Sequence, residues 1–252
     1  MSKLDHGWVK ASLEMADNER SKITEREREM HGLSSIRLRC LINNLCAADN
    51  VKYLEIGAYK GATLIAAMRG NNIKATGIDN FKYDDREATK WAPDGYIWDN
   101  MKSQLEANLN TYRLQPDVVN GDKILIIEED FQKAELTKDN YNVCFFDISP
   151  VDGASYDEFF EHVLPALSQS SVVIFSQQSN NTHAEQLNEA MKKHEVKFNV
   201  QYSETRISGS NADASKYYSG IRVFGLVKKA AANKPAPKAA PKPTANTQVK
   251  NG

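Results

Sequence analysis

The chain has 252 residues, of which 41% are hydrophobic, and a formal net charge of −1. This length suits one α/β domain with a sizeable core, and the near-neutral charge gives no sign of a nucleic-acid or membrane partner. No apolar run approaches the roughly 18 residues of a membrane span, and residues 1–8 lack the apolar core of a signal peptide. Cys40, Cys46 and Cys144 lie in apolar surroundings without metal-ligand spacing, which indicates reduced core cysteines in a cytoplasmic protein.

The first 33 residues predict a helical extension. A helix is expected over residues 1 to about 30, where the mixed charges between Glu19 and Glu29 are typical of a solvated face. A cover over the active site, or a contact in a homodimer, is the alternative. Gly32 ends this helix, and Ser34 or Ser35 can begin the next one. We therefore expect the main domain to cover residues 34–228.

The stretch from Val51 to Thr63 predicts a buried strand, a turn and a helix. It reads Val-Lys-Tyr-Leu-Glu-Ile-Gly-Ala-Tyr-Lys-Gly-Ala-Thr. Gly57 permits a sharp bend after the strand, and Gly61 lets the helix begin close to the strand or to a ligand. Such a strand, glycine turn and helix form the first half of a βαβ nucleotide-binding unit. A tight turn that binds nothing is the alternative for this motif alone.

A second strand is predicted over residues 73–79 and ends in Asp79-Asn80. Asp79 lies 24 residues after Glu55, close to the spacing of roughly 20 at which a carboxylate accepts hydrogen bonds from ribose hydroxyls. An ordinary turn aspartate is the alternative. Residues 81–100 are rich in aromatic and acidic side chains, and they either line a substrate pocket or form a loop held by its own aromatic rings.

Five further strands are predicted in the second half of the chain. A helix over residues 99–113 precedes a strand that ends in Glu129-Asp130-Phe131, and a mostly apolar run ending in Asp147 predicts a central strand buried on both faces. The remaining elements alternate along the chain: helix 156–167, strand 171–176, helix 182–194 and strands 197–203 and 220–227. His183, near the start of the last helix, is either a general base or a surface residue.

The sequence Glu-Ile-Gly-Ala-Tyr-Lys-Gly-Ala-Thr resembles motif I of the class I S-adenosylmethionine (SAM)-dependent methyltransferases, in its catechol-type O-methyltransferase form. The resemblance implies an α/β fold with a doubly wound, mostly parallel seven-stranded Rossmann-like sheet and an antiparallel final strand. It also implies that SAM is the cofactor. The residues that it places around SAM are Glu55, Gly57, Ala58, Tyr59, Gly61, Thr63, Asp79, Asn80, Asp130 and Phe131.

Within this resemblance, Asp130 would bind the adenine amino group and Phe131 would lie against the ring, although both residues also suit a solvated turn. Asp147-Ile-Ser-Pro resembles motif IV, which lies beside the methyl donor and the substrate. Asp147 is therefore the candidate catalytic residue, which could position the substrate, act as a base or hold a metal.

The chain departs from the catechol-type pattern after the strand that ends near Ser176. Those enzymes place a second acidic metal ligand there, followed by Asp or Asn, whereas this chain has Ser-Gln-Gln-Ser-Asn-Asn over residues 176–181. Mg²⁺ usually takes one or two carboxylates together with other oxygen ligands, and Asp147 beside neutral amides is a poor site. We therefore predict no metal, and the departure argues against catechol-like substrates.

These observations together predict methyl transfer from SAM to a small-molecule acceptor. Because the donor is already activated by its positive charge, the protein needs mainly to align the nucleophile and remove any proton. A nicotinamide-dependent oxidoreductase should show Gly-x-Gly-x-x-Gly, which the stretch 57–61 lacks. A non-catalytic binding or scaffold protein is the other alternative. Residues 229–252 form a Lys-, Pro- and Ala-rich tail that we predict to be disordered.

Overall fold

A computed structural model describes residues 4–82, 100–114, 123–148, 154–207, 217 and 219–229. Seven strands form one sheet: β1 (Lys52–Ile56), β2 (Lys74–Asp79), β3 (Ile124–Glu128), β4 (Tyr141–Phe146), β5 (Leu167–Phe175), β6 (Phe198–Arg206) and β7 (Ile221–Lys228). Their order in the sheet is β3-β2-β1-β4-β5-β7-β6. The first five strands are parallel, and β7 runs antiparallel to both β5 and β6. The predicted fold class is therefore confirmed.

Helices cover both faces of this sheet. They are α1 (His6–Asp17), α2 (Glu25–Glu29), α3 (Ile36–Leu45), α4 (Ala62–Met68), α5 (Met101–Arg113), α6 (Ala154–Glu158) and α7 (Asn181–Lys193). A π-helical turn, Phe159–Val163, and a 3-10 turn, Leu164–Ala166, continue α6. A further 3-10 turn, Glu195–Lys197, follows α7.

Two separate cores follow from the apolar strands. One lies between the sheet and the helices α1, α3, α4 and α5. The other is rich in aromatic side chains and lies between the sheet and the helices α6 and α7. Strands β4 and β5 contribute to both cores, because their near-continuous apolar runs present hydrophobic side chains to both faces.

The N-terminal region contains two helices rather than the single helix predicted for residues 1 to about 30. Thr24 and Glu27 form a capping box that begins α2, in which the Glu27 carboxylate accepts hydrogen bonds from the Thr24 hydroxyl and N–H. Glu27 is 0% exposed and lies 3.5 Å from Arg69 Nε. The expectation that this charged stretch forms a solvated face is thus wrong for Glu27. The boundary at residue 33 stays a prediction, although α1 shares the core of the sheet.

Helix α1 is fastened at both ends to the C-terminal part of the chain. At its first turn, His6 Nε2 lies 2.7 Å from Glu204 Oε1, and the His6 ring stacks on Tyr202 at 4.6 Å between centroids. At its last turn, Asp17 pairs with Arg206 at 3.0 Å and accepts a hydrogen bond of 2.9 Å from the Tyr217 hydroxyl. The helix is thus tied to β6 and to the segment before β7.

The remaining predictions from composition are tested only in part. The three cysteines are buried and free, as predicted. In the described ranges, no helix has both the length and the apolar character that crossing a membrane requires. The cytoplasmic location stays a prediction. Most of the aromatic stretch, residues 83–99, and the tail from residue 230 lie outside the described residues.

Candidate functional site

The predicted site residues lie along one edge of the sheet, where four parallel strands end side by side. The order β3-β2-β1-β4 places the ends of these strands next to one another, and the register pairs Ile56 with both Ile78 and Phe146. The N–H of Asp147 extends the pairing by donating to the Ile56 carbonyl at 2.9 Å. Ligands of open α/β sheets bind outside the carboxyl ends of the strands, so this edge is the candidate site.

The glycine turn after β1 crosses this edge in close contact with both neighbouring strands. Gly57 has a φ of +90°, and a Cβ at this position would lie 2.5 Å from the Asp147 carbonyl oxygen. The N–H groups of Gly57 and Ala58 both donate to the Ile78 carbonyl, at 2.9 and 3.2 Å. Gly61 begins α4 with a φ of +80°. Both glycines are therefore needed for the turn, as their positions in the sequence predict.

Asp79 connects the end of β2 to the glycine turn. One carboxylate oxygen accepts the Tyr59 N–H and the other accepts the Phe81 N–H, each at 2.7 Å. Burial raises the pKa of Asp79, and these two hydrogen bonds partly oppose that effect. Each oxygen keeps a second lone pair. The carboxylate can therefore still accept hydrogen bonds from two vicinal hydroxyls.

Asn80, Asp130 and Phe131 bring the ends of β2 and β3 together. The Asn80 amide donates to Asp130 at 2.7 Å, and Lys133 donates to the other oxygen of that carboxylate at 2.6 Å. These two donors lower the pKa of Asp130. Phe131 is buried against Phe146 in an edge-to-face contact of 5.5 Å. Asp130 and Phe131 thus line the β3 end of the edge, where the sequence places them.

Glu55 and Thr63 join β1 to α4 behind the glycine turn. The Glu55 carboxyl is 0% exposed and accepts hydrogen bonds from the Tyr53 hydroxyl at 2.6 Å and from the Thr63 hydroxyl at 2.5 Å. Burial raises the pKa of Glu55 to about 8, and the nearby carboxylates of Asp147 and Asp79 also raise it. Both predicted residues therefore support the turn, and their direct contact with a ligand stays a prediction.

Asp147 lies where β4 ends and is partly exposed. Burial raises its pKa to about 6, the Ser176 side chain lowers it, and the charge of Asp79 raises it. Two acidic side chains thus act on each other at the centre of the edge. Because like charges disfavour each other's ionisation, a cation near these two carboxylates would be stabilised.

A buried amide whose hydrogen bonds the sequence does not reveal lies at the end of β5. Gln178 is 1% exposed, and its amide N–H groups donate to the Tyr156 hydroxyl at 2.8 Å and to the Ser176 carbonyl at 2.9 Å. Since that carbonyl can only accept, the amide orientation is fixed. The Gln178 side-chain oxygen has no hydrogen-bond partner among the described residues. The only sequence signal for this group is the Gln-Gln pair that replaces acidic residues.

Comparison with known structures places this arrangement in a known fold. A putative SAM-dependent methyltransferase from Methanococcus maripaludis aligns with a TM-score of 0.51 and 10% identity, over 93% of this chain and 97% of that chain. M. jannaschii TYW2 in complex with AdoMet aligns with a TM-score of 0.50 and 13% identity, over 80% of this chain and 78% of that chain. A putative O-methyltransferase from Nostoc punctiforme aligns with a TM-score of 0.52 and 12% identity, over 76% of this chain and 56% of that chain. The fold is that of the class I SAM-dependent methyltransferases. No protein-family model and no curated protein match the chain.

In this methyltransferase fold, the predicted residues separate into three groups. The glycine turn, Asp79 and Asp147 meet at the centre of the edge, Asp130 and Phe131 lie at its β3 end, and Glu55 and Thr63 lie behind the turn. His183 is partly buried in the first turn of α7, and no hydrogen bond or ring contact among the described residues joins it to Asp147. Within the described ranges, no three His, Cys, Asp or Glu side chains are arranged to hold a metal ion.

Proposed function

We propose that this chain is a methyltransferase that binds SAM along the ends of β3, β2 and β1 and transfers the methyl group to a small molecule held near Asp147. The observation that carries the proposal is the Asp79 carboxylate, which is fixed to the glycine turn by the Tyr59 N–H and keeps lone pairs for ribose hydroxyls.

The residues present fit SAM in charge. Gly57 lets the turn after β1 lie directly against the end of β4, because a Cβ at this position would be 2.5 Å from the Asp147 carbonyl oxygen. The carboxylates of Asp79 and Asp147 make the surroundings favourable for a positive charge. SAM, when bound, supplies a methyl group on a positively charged sulfur. The fit supports SAM as the cofactor, which the resemblance implies and which agrees with the fold shared with M. jannaschii TYW2 in complex with AdoMet.

Asp147 is the proposed catalytic residue. The residue follows β4, its backbone carbonyl faces Gly57 of the glycine turn, and it is partly exposed. A pKa of about 6 leaves it mostly ionised at neutral pH, so it can accept a proton or a hydrogen bond from an acceptor hydroxyl or amine. The Gln178 oxygen is a second acceptor atom near this end of the sheet. We propose a cytoplasmic enzyme with an acceptor that donates hydrogen bonds.

Calorimetric titration with SAM and with S-adenosylhomocysteine tests this function directly. We expect micromolar binding, a binding free energy of about −8 kcal/mol, for the natural chain and its loss in Asp79→Ala. NAD is titrated in parallel. Binding of NAD alone would point to an oxidoreductase, and absence of binding by all three ligands would favour a scaffold protein. A biological role that survives in Asp79→Ala, after SAM binding is lost, would also reject the enzyme.

A further inference from the structure

Three lysine and arginine side chains are buried among the described residues, and only one of them lacks an oxygen partner. Arg39 donates hydrogen bonds of 2.7 Å to the carbonyl oxygens of Glu27 and Met30. Arg69 is paired with the Glu27 carboxylate at 3.5 Å. Lys60 is 4% exposed, and no described oxygen lies within hydrogen-bond distance of its ammonium group. It therefore differs from the two structural arginines.

The contacts of the Lys60 ammonium group are made with rings. Its nitrogen lies 3.4 Å from His31 Nδ1 and 5.0 Å from the centroid of the Tyr59 ring. The ring nitrogen and the aromatic face both favour a cation, but neither carries a negative charge. Burial lowers the pKa of Lys60. A buried ammonium without a counter-charge is costly, so the position is suited to an anionic group supplied by a ligand.

Lys60 is held between the glycine turn and the loop that precedes α3. Its backbone carbonyl accepts a hydrogen bond of 2.8 Å from Asn108 of α5. The loop lies against the start of α4, because a Cβ on Gly32 would be 2.7 Å from the Cβ of Ala62. Arg39 fixes the same loop through hydrogen bonds to backbone carbonyls and to Ser34. The ammonium group is thus positioned before any ligand binds.

We propose that Lys60 binds the carboxylate of the methionyl end of SAM, an inference that rests on the proposed function. If Asp130 and Asp79 take the adenine and the ribose at the ends of β3 and β2, the amino-acid end falls at the next strand in the sheet, β1 and its turn. The carboxylate is the one anionic group of SAM. Asp79 and Asp147 would repel it, and Lys60 supplies the opposite charge. His31 acts as a positioning residue, because its ring nitrogen accepts a hydrogen bond from the ammonium group.

Two ligands that differ in the amino-acid end test this assignment. S-adenosylhomocysteine carries the carboxylate, whereas 5′-deoxy-5′-methylthioadenosine keeps the adenine, ribose and thioether without it. Calorimetry is carried out on the full chain, on Lys60→Met and on Lys60→Gln, with Lys74→Met as a matched control because Lys74 is exposed at the opposite end of β2. Lys60→Gln gives the same comparison should Lys60→Met fail to fold.

We expect either Lys60 variant to weaken S-adenosylhomocysteine binding by about 10- to 100-fold, as for loss of a hydrogen bond between charged groups. Binding of the methylthio ligand should change by less than about threefold, and Lys60→Arg should retain most of the affinity. Unchanged binding of S-adenosylhomocysteine, or equal weakening of both ligands, would overturn the assignment. A natural chain that binds neither ligand would instead overturn the proposed function.

Discussion

Replacing Glu55 with glutamine should change how the stability of the protein depends on pH. The carboxyl group is fully buried, and its pKa is about 8 in the folded protein against an ordinary value of 4.5. The folded chain therefore keeps a proton that the unfolded chain has already lost at neutral pH. Raising the pH thus favours unfolding, and the loss of stability begins near pH 4.5 and levels off above pH 8.

The size of the effect follows from the two pKa values. With about 1.4 kcal/mol for each pKa unit, the full difference corresponds to about 5 kcal/mol, of which about 3.5 kcal/mol is lost between pH 5 and pH 8. Glutamine has no proton to lose and can keep both hydrogen bonds, because the Tyr53 hydroxyl can donate to its oxygen and the Thr63 hydroxyl can accept from its nitrogen. Glu55→Gln should therefore gain stability relative to the natural chain as the pH rises.

Urea denaturation of both proteins at pH 5, 6, 7 and 8, followed by circular dichroism, measures this difference. Asp79 and Asp147 titrate in both proteins, so the difference between the two curves reports mainly on Glu55. Glu106→Gln is the control, because Glu106 is exposed on α5, and its curve should run parallel to that of the natural chain. A parallel curve for Glu55→Gln would refute the reasoning, since it would mean that Glu55 is ionised in the folded protein.

Three further substitutions test other parts of the site. Gly57→Ala places a Cβ 2.5 Å from the Asp147 carbonyl oxygen at a φ of +90°, so it should destabilise the chain by about 1–3 kcal/mol in urea denaturation, whereas Gly7→Ala inside α1 should be neutral or stabilising. Asp79→Asn puts an amide N–H group against backbone N–H donors, and we expect at least a tenfold weaker affinity for S-adenosylhomocysteine by calorimetry; unchanged affinity would contradict the ribose role. Arg39→Lys keeps the charge but loses the planar set of donors, so it should lower the free energy of unfolding by about 2–3 kcal/mol and speed proteolysis within residues 27–34. Equal cleavage rates would show that the Arg39 hydrogen bonds do not hold this segment.

Much of the fold was predictable because the signals are local. Buried strands such as β4 are continuous apolar runs, and the turn after β1 needs glycine at positions 57 and 61, where φ is positive. The position of Asp79 could also be predicted, because a residue that follows a parallel strand must lie at the shared edge of the sheet. Its two hydrogen bonds to backbone N–H groups depend on the path of the neighbouring loops, so no sequence pattern gives them.

The errors and omissions all depend on contacts between distant parts of the chain. The charged stretch around Glu27 has the composition of a solvated helix, yet Arg69 of the following unit pairs with this carboxylate and buries it. Lys60 lies between the two glycines of the turn after β1, and the sequence does not predict that its ammonium group lies next to His31. In the sequence, Gln178 belongs to the stretch of neutral residues that stands where the catechol-type pattern has acidic ones. Only the structure shows that its amide orientation is fixed and that its side-chain oxygen has no hydrogen-bond partner among the described residues.

The contacts at the two ends of α1 form with residues that are synthesised much later, which affects the order of folding. The partners of His6 and Asp17 lie 189 to 200 residues later in the chain, and synthesis of that length takes roughly 10 to 40 seconds at 5–20 residues per second. During that time the ends of α1 have no partners in β6 or before β7, although Val9 and Leu13 already need burial. The apolar face of α1 can pack on α3 as soon as both helices are made, whereas the hydrogen bonds at its two ends form only after β6 and residue 217 have been synthesised.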